Sequence, residues 1–223
     1  MAILPQSLRS LTPAALRDSP RLRSLALGLG LIPPRQMHSE SDLGVLLGAA
    51  GVARARRVVE VGVYEGASAV ALVGALSEGS ELHLVDPFGA HPDALPSGWG
   101  ASEWATRRTV ARALAARGTD RPRVSWHVAL SHDVAAGWSE PIDLVFIDGD
   151  HSEAGCELDW DSWHPHVAPG GFVVFHDARA GQHRGRGLPG PTAVVDRRLR
   201  AGATADWEVA VEMDRTVAVQ RLR

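Results

Sequence analysis

The stretch Val58-Val-Glu60-Val-Gly62-Val-Tyr-Glu-Gly66-Ala-Ser68 decides how the chain is read. Its β-branched start has no polar alternation, as in a strand buried on both faces of a parallel sheet. The two glycines let the backbone turn tightly into the helical pattern of residues 67–76. Strand, glycine turn and helix together open a βαβ unit. The spacing is acidic-x-Gly-x-x-x-Gly, whereas a dinucleotide turn reads Gly-x-Gly-x-x-Gly and sets helix amides on a pyrophosphate. Glu60 instead puts negative charge beside the ligand, so the turn suits a cationic ligand without phosphate.

Downstream, the alternation repeats. Nearly continuous apolar runs at 57–62, 81–86, 123–128, 143–148 and 171–177 read as parallel strands, with helices at 67–76, 102–117 and 153–163. Cys156, Trp160 and Trp163 recur at spacings of four and three, a stripe for packing on the sheet. After a helix at 192–200, residues 207–213 and 216–222 alternate polar and apolar around Asp214-Arg215, as an antiparallel hairpin does. The expected fold is α/β: a doubly wound, mostly parallel seven-stranded sheet with a C-terminal antiparallel hairpin. Ligands of such sheets bind at the carboxyl ends of the strands, where the strand order reverses. Upstream, residues 1–53 read as an N-terminal helical extension, a cap or dimer surface. Helices are expected there at 20–29 and 40–50, with Gly51 as the stop of the second.

Composition narrows the partners. A chain of 223 residues with 45% apolar content can bury one sizeable core. The net charge is -3, and Arg179, Arg184 and Arg186 form only a small basic cluster, so nucleic acid is not an expected partner. The apolar run at 25–32 is far short of the roughly 20 residues that cross a bilayer, so no membrane partner is expected. Met1-Ala-Ile-Leu-Pro5 lacks the basic start and apolar core of a secretory leader. The one cysteine, Cys156, excludes an intrachain disulfide and fits a cytoplasmic setting. All 23 basic residues are arginine, which excludes a lysine base.

A second acid, Asp86, ends the next strand, where its two oxygens suit a pair of ribose hydroxyls. With these residues the chain resembles the class I S-adenosylmethionine-dependent methyltransferases and their Rossmann-like fold, with residues 54–223 as the cofactor-binding domain. The resemblance implies that Glu60 and the backbone of Gly62 and Gly66 contact the amino-acid end of S-adenosylmethionine. Ser68 then lies beside it, Asp86 holds the ribose, and Ser131 and His132 match the adenine-side loop.

Two further segments carry the chemistry. Val145-Phe-Ile-Asp148-Gly-Asp150-His151-Ser-Glu153 closes the fourth strand, and Gly170-Gly-Phe-Val-Val-Phe-His176-Asp177 closes the fifth. Neighbouring parallel strands bring these ends together. Oxygen ligands suit Mg2+, and a histidine among them admits Mn2+ or a softer ion. The cluster resembles that of metal-dependent O-methyltransferases, both catechol-type and bacterial antibiotic-sugar enzymes, over residues 56–222. This implies a metal site of Asp148, His176 and Asp177. Relatives carry two adjacent acidic or amide ligands where this chain has His176-Asp177, so His176 is either a ligand or hydrogen-bonded to a ligating carboxylate. Catechol-type relatives place a lysine base three residues after the first metal carboxylate; that position is His151. An imidazole of ordinary pKa, about 6.5, accepts a proton near neutrality, whereas the rival base Asp150, at about 4, is weaker. A cap on the following helix is the other role open to His151.

The expected function is divalent-metal-dependent methyl transfer to a hydroxyl of a sugar, either a polysaccharide precursor or an antibiotic sugar. The acceptor is a small molecule or oligosaccharide, covered by residues 87–100, with His91 and Trp99, and 178–191, with Arg179, Gln182, His183, Arg184 and Arg186. Three other readings stay open: a catechol or phenolic acceptor, a nicotinamide-dependent dehydrogenase of the same general fold, and a cofactor-binding protein without catalysis. A homodimer through the N-terminal helices is a further partner reading.

Overall fold

Val58, Val59 and Val61 are all buried, as a strand covered on both faces requires. They belong to β1 (Arg57–Val61), in a computed structural model that describes residues 19–89, 101–179, 187–200 and 205–223. The other strands are β2 (Glu81–Val85), β3 (Arg123–His127), β4 (Ile142–Ile147), β5 (Val167–Phe175), β6 (Trp207–Met213) and β7 (Thr216–Arg221). They form one sheet in the order β3-β2-β1-β4-β5-β7-β6. β1 to β5 pair in parallel, and β7 lies antiparallel between β5 and β6. This is the doubly wound sheet with a terminal hairpin that the sequence predicts. Its order reverses between β1 and β4, which opens a crevice at their carboxyl ends.

The helices are α1 (Pro20–Gly28), α2 (Glu40–Val52), α3 (Ala67–Ala75), α4 (Glu103–Arg117), α5 (Ser131–Ala136), α6 (Glu153–Trp163) and α7 (Pro189–Val195). Strand side chains alternate between two apolar clusters, as the pleat dictates. Val59, Val145 and Phe175 join Cys156, Trp160 and Trp163 of α6 and Val194 of α7 on one face. Val58, Leu84, Phe146 and Val174 join Leu46 of α2 and Leu72 of α3 on the other. The tryptophan stripe therefore serves packing. A boundary at residue 53 separates segments that share this core, because Val45, Leu46, Ala49 and Ala50 of α2 lie in the same cluster as β1.

Local differences have local causes. Gly51 does not stop α2, which runs on to Val52 and turns at Arg54, whose φ is +47°. Ala55 N–H donates to the Ala50 carbonyl at 2.9 Å and Arg54 N–H to Gly51 at 3.1 Å. That pair satisfies the terminal carbonyls and holds a non-glycine residue in the left-handed region. The helix expected at 192–200 starts earlier, with Pro189 in its first turn, and continues as a π-helical turn over Asp196–Arg200. α5, only six residues long, gave too little periodicity to be read. Most of both acceptor loops, including His91, Trp99, Gln182, His183, Arg184 and Arg186, lies outside the described residues. No helix among the described residues is long and apolar enough to cross a membrane.

Candidate active site

The cofactor turn is shaped by backbone constraints. Gly62 and Gly66 have φ of +85° and +83°. A methyl group at Gly62 would collide with the Asp148 carbonyl and the Gly149 Cα, so only glycine lets the turn after β1 pass against the end of β4. Asp86 fastens the turn from β2: its Oδ2 accepts the N–H groups of Val63 and Tyr64 at 2.9 Å each, and its Oδ1 accepts that of Phe88 at 2.7 Å. Oδ1 keeps one acceptor position for a ligand. Burial raises the Asp86 pKa against these three hydrogen bonds.

Glu60 is fully buried at the base of the turn. Its Oε1 accepts the Ser68 hydroxyl, and its Oε2 has no hydrogen-bond partner. Burial pushes its pKa up to about 8; the Ser68 hydrogen bond opposes the rise, and the charges of Asp148 and Asp86 add to it. A buried carboxyl with an unspent oxygen costs about 1–3 kcal/mol until a donor reaches it. A hydrogen-bond donor, above all a cationic one, would meet that need.

The second half of the site lies at the ends of β4 and β5. The ladder continues past both strands, with Asp148 N–H donating to the Val61 carbonyl at 2.9 Å and His176 N–H to Ile147 at 3.1 Å. This sets Asp148 and His176 side by side. Asp148 Oδ1 lies 2.9 Å from His176 Nδ1 and 3.2 Å from His151 Nε2. Asp177 Oδ2 lies 3.5 Å from His176 Nδ1 and 3.6 Å from His151 Nε2. Asp177 itself holds φ at +52°, a strained conformation for a non-glycine residue.

The electrostatics favour a cation. Burial opposes ionisation of Asp148, but the His176 charge and hydrogen bonds from three histidines hold its carboxyl well below the ordinary range. Burial likewise disfavours a charged His176, yet Asp148 and Asp42 outweigh it and lift the pKa to about 10. For His151, the hydrogen bond and charge of Asp148, with the charge of Asp177, overcome burial and raise the pKa.

Residues the sequence left unmarked complete the cluster. His38, ahead of α2, places Nε2 3.0 Å from Asp148 Oδ2, with its ring centroid 4.4 Å from that of His176. Asp42, in the first turn of α2, accepts Ser39 N–H at 2.9 Å, the Thr216 hydroxyl at 2.8 Å and Arg215 N–H at 3.1 Å. Arg215, in the β6–β7 turn, donates to Asp177 Oδ1 and to the Met37 carbonyl, both at 2.7 Å. Ser39-x-x-Asp42 carries a capping signal, but no local pattern shows where His38 or Arg215 comes to rest.

The segment between α1 and α2 is tied beside the cofactor turn. Arg23 reaches Glu65 through two bonds of 2.6 Å, and Arg35 donates its N–H to Glu65 at 2.6 Å and its guanidinium to the Tyr64 hydroxyl at 2.9 Å. A cleft results, lined by Met37, His38, Gly62, Tyr64, Ser68 and Asp148.

Donor spacing in the cluster fits a metal. His38, Asp148 and His176, and likewise His151, His176 and Asp177, each offer one ligand atom, all within 4.8 Å of one another. Donors about 2.0–2.2 Å from a shared ion lie roughly 3–3.6 Å apart. The imidazole–carboxylate separations fall in that range, at 2.9 to 3.6 Å, with His38 on Oδ2 of Asp148 and His176 and His151 on Oδ1.

Three expected site residues have other partners. Asp150 Oδ1 accepts Ser152 N–H at 2.8 Å at the start of α6. The Ser131 hydroxyl accepts from Trp163 Nε1 at 2.7 Å. His132 is half-buried, 3.6 Å from Asp133.

Comparison with known proteins identifies the family and the fold. A family described as "Methyltransferase domain" matches residues 59–178, from β1 through the end of β5. Among solved structures, the O-methyltransferase NovP superposes with a TM-score of 0.64 at 18% identity, covering 91% of this chain and 89% of its own. The O-methyltransferase TomG from Streptomyces achromogenes, involved in tomaymycin synthesis and solved with its SAM, gives 0.60 at 19% identity over 92% and 91%. The O-methyltransferase from Bacillus cereus, solved with SAH, gives 0.56 at 18% identity over 97% and 96%. The dehydrogenase reading is thereby set aside. With more than half of its length matched, from the glycine turn to the His176-Asp177 pair, the chain belongs to the methyltransferase-domain family and has the class I fold.

Proposed function

We propose that this methyltransferase transfers a methyl group from S-adenosylmethionine to a hydroxyl of a sugar, with a divalent ion held by Asp148, His176 and Asp177. The observation that carries the reading is the contact between the two half-sites: Gly62 of the cofactor turn packs against the backbone of Asp148 and Gly149. Whatever the turn holds therefore lies beside the histidine–carboxylate cluster.

The free Oε2 of Glu60 receives the cofactor's ammonium group while Ser68 steadies Oε1. Gly62 and Gly66 admit its backbone, the remaining acceptor position of Asp86 takes the ribose, and His132 and Ser131 stand on the adenine side. S-adenosylmethionine supplies a methyl group already activated by its sulfonium. The chain's own work is to orient the acceptor oxygen and remove its proton. A divalent ion held by Asp148, His176 and Asp177 would supply Lewis acidity toward an acceptor hydroxyl. His151 takes the proton. Carboxylates that spend their charge on a ligand pull less on the imidazole, which favours its neutral, proton-accepting form.

A neutral alcohol needs such help far more than an amine does, which supports oxygen as the accepting atom. The structural likeness to the O-methyltransferases NovP, TomG and that of Bacillus cereus supports it as well. Labelled cofactor offered with panels of sugars and of catechols, each with and without a chelator, tests the reading. Chelator-sensitive transfer to sugars is expected; transfer to phenols alone would sink the acceptor, and chelator-insensitive transfer would sink the ion.

A further inference from the structure

We infer that His38 is a metal ligand together with Asp148 and His176, and that the ion this site selects is a nitrogen-seeking transition ion of the Zn2+ or Co2+ kind, not Mg2+. The inference rests on the metal reading above and deepens it. The segment before α2 thereby becomes part of the metal centre.

The argument starts from Asp148, which presents one oxygen to each of two imidazoles: Oδ1 faces His176 Nδ1 at 2.9 Å and Oδ2 faces His38 Nε2 at 3.0 Å. The His38 side chain is only 5% exposed, is held against the rings of Phe146 and His176, and has no partner at Nδ1. Its one engaged polar atom is the nitrogen aimed into the cluster.

His176 is held from behind. Its Nε2 lies 3.6 Å from Asp42 Oδ2, and Asp42 is fixed by Ser39 N–H, the Thr216 hydroxyl and Arg215 N–H. At that distance the two form an ion pair without a hydrogen bond, and the negative charge of Asp42 behind Nε2 leaves Nδ1 as the nitrogen turned to Asp148. Arg215 occupies Asp177 Oδ1 at 2.7 Å, which leaves Oδ2 toward the site.

Ion preference follows from the donors. Mg2+ demands oxygen and keeps several waters, whereas imidazole suits zinc, cobalt, iron and nickel. Two imidazole nitrogens, from His38 and His176, face the two oxygens of Asp148. An ion that takes oxygen alone would use neither of them.

The test uses the full chain, stripped with a chelator and titrated with Co2+ while its visible absorption is followed. One Co2+ per chain is expected, with the strong bands of a nitrogen-bearing site. Equimolar Zn2+ should displace it and millimolar Mg2+ should not. His38→Gln, checked for unchanged circular dichroism and S-adenosylhomocysteine binding, should weaken Co2+ binding by about tenfold or more. His38→Asp, which restores an oxygen ligand, should move the preference toward Mg2+. Wild-type Co2+ affinity in His38→Gln, or displacement by Mg2+ at comparable concentration, would overturn the inference. Those results are separable from the catalytic reading: chelator-sensitive methyl transfer with unchanged Co2+ affinity in His38→Gln removes only His38. Tight Co2+ binding that needs His38, alongside chelator-insensitive transfer, removes only the ion's part in the reaction.

Discussion

Two neighbouring side chains, Asp150 and His151, compete for the role of base, and their hydrogen bonds separate them. Asp150 is spent on Ser152 N–H at the start of α6, whereas His151 turns Nε2 toward Asp148 and Asp177. His151→Ala is therefore expected to lower kcat about 10²- to 10⁴-fold, the usual worth of a positioned base, with cofactor-product binding unchanged. Asp150→Ala should stay close to wild type. Parallel rate and binding measurements on the two variants check this, and unchanged turnover in His151→Ala would remove it as the base. At this scale the sequence was informative wherever a motif is local. Glu60, Gly62, Asp148 and His151 stand in two short segments, and the spacing within each reflects a strand end that points its side chains into the crevice.

Among the elements, α2 shows how structural and functional demands meet in one turn. Ser39 and Asp42 form a reciprocal capping box, but Asp42 also binds Thr216 and Arg215 and backs His176. Burial works against its ionisation, and hydrogen bonds from His176, Ser39 N–H and Thr216 prevail, holding the carboxyl below the ordinary range. Asp42→Ala leaves buried polar partners without an acceptor and should cost about 3–5 kcal/mol, whereas Ser39→Ala, which removes a cap alone, should cost about 1 kcal/mol. Denaturant unfolding of the two variants checks the difference; equal losses would mean that Asp42 acts only as a cap. The end of α2 shows where local reading fails. Gly51 has the composition of a stop, but the turn falls at Arg54, because the hydrogen-bond pairing at the helix end, not residue preference alone, chooses the left-handed position.

Across the whole molecule, buried acids tie stability to pH. Asp159 lies buried on α6, where burial pushes its pKa up to about 7 against a hydrogen bond from Ser131, with the charge of Asp150 adding to the rise. In the unfolded chain it titrates near 3.9. Between about pH 4 and pH 7 the folded protein keeps a proton that the unfolded chain has lost, so this group's contribution to stability falls as pH rises through that window. The stability of the protein relative to its Asp159→Asn variant should therefore drop by about 2–3 kcal/mol between about pH 5 and about pH 8. Denaturation midpoints at the two pH values measure it, and a constant difference would refute the buried acid's role. The strand sequence and the terminal hairpin were legible because burial writes itself into residue pattern; His38, Asp42 and Arg215 were not, because their partners are distant in sequence. The His38–Asp148 pair spans 110 residues and the Arg215–Asp42 bond 173. Closing loops of that length costs chain entropy before any contact returns it, and the β1–β4 pairing, which sets Val58 against Leu144, closes a loop of the same order. The sheet and the cluster at its edge thus draw on one set of long-range closures, and the seam between β1 and β4 is where fold and site form together.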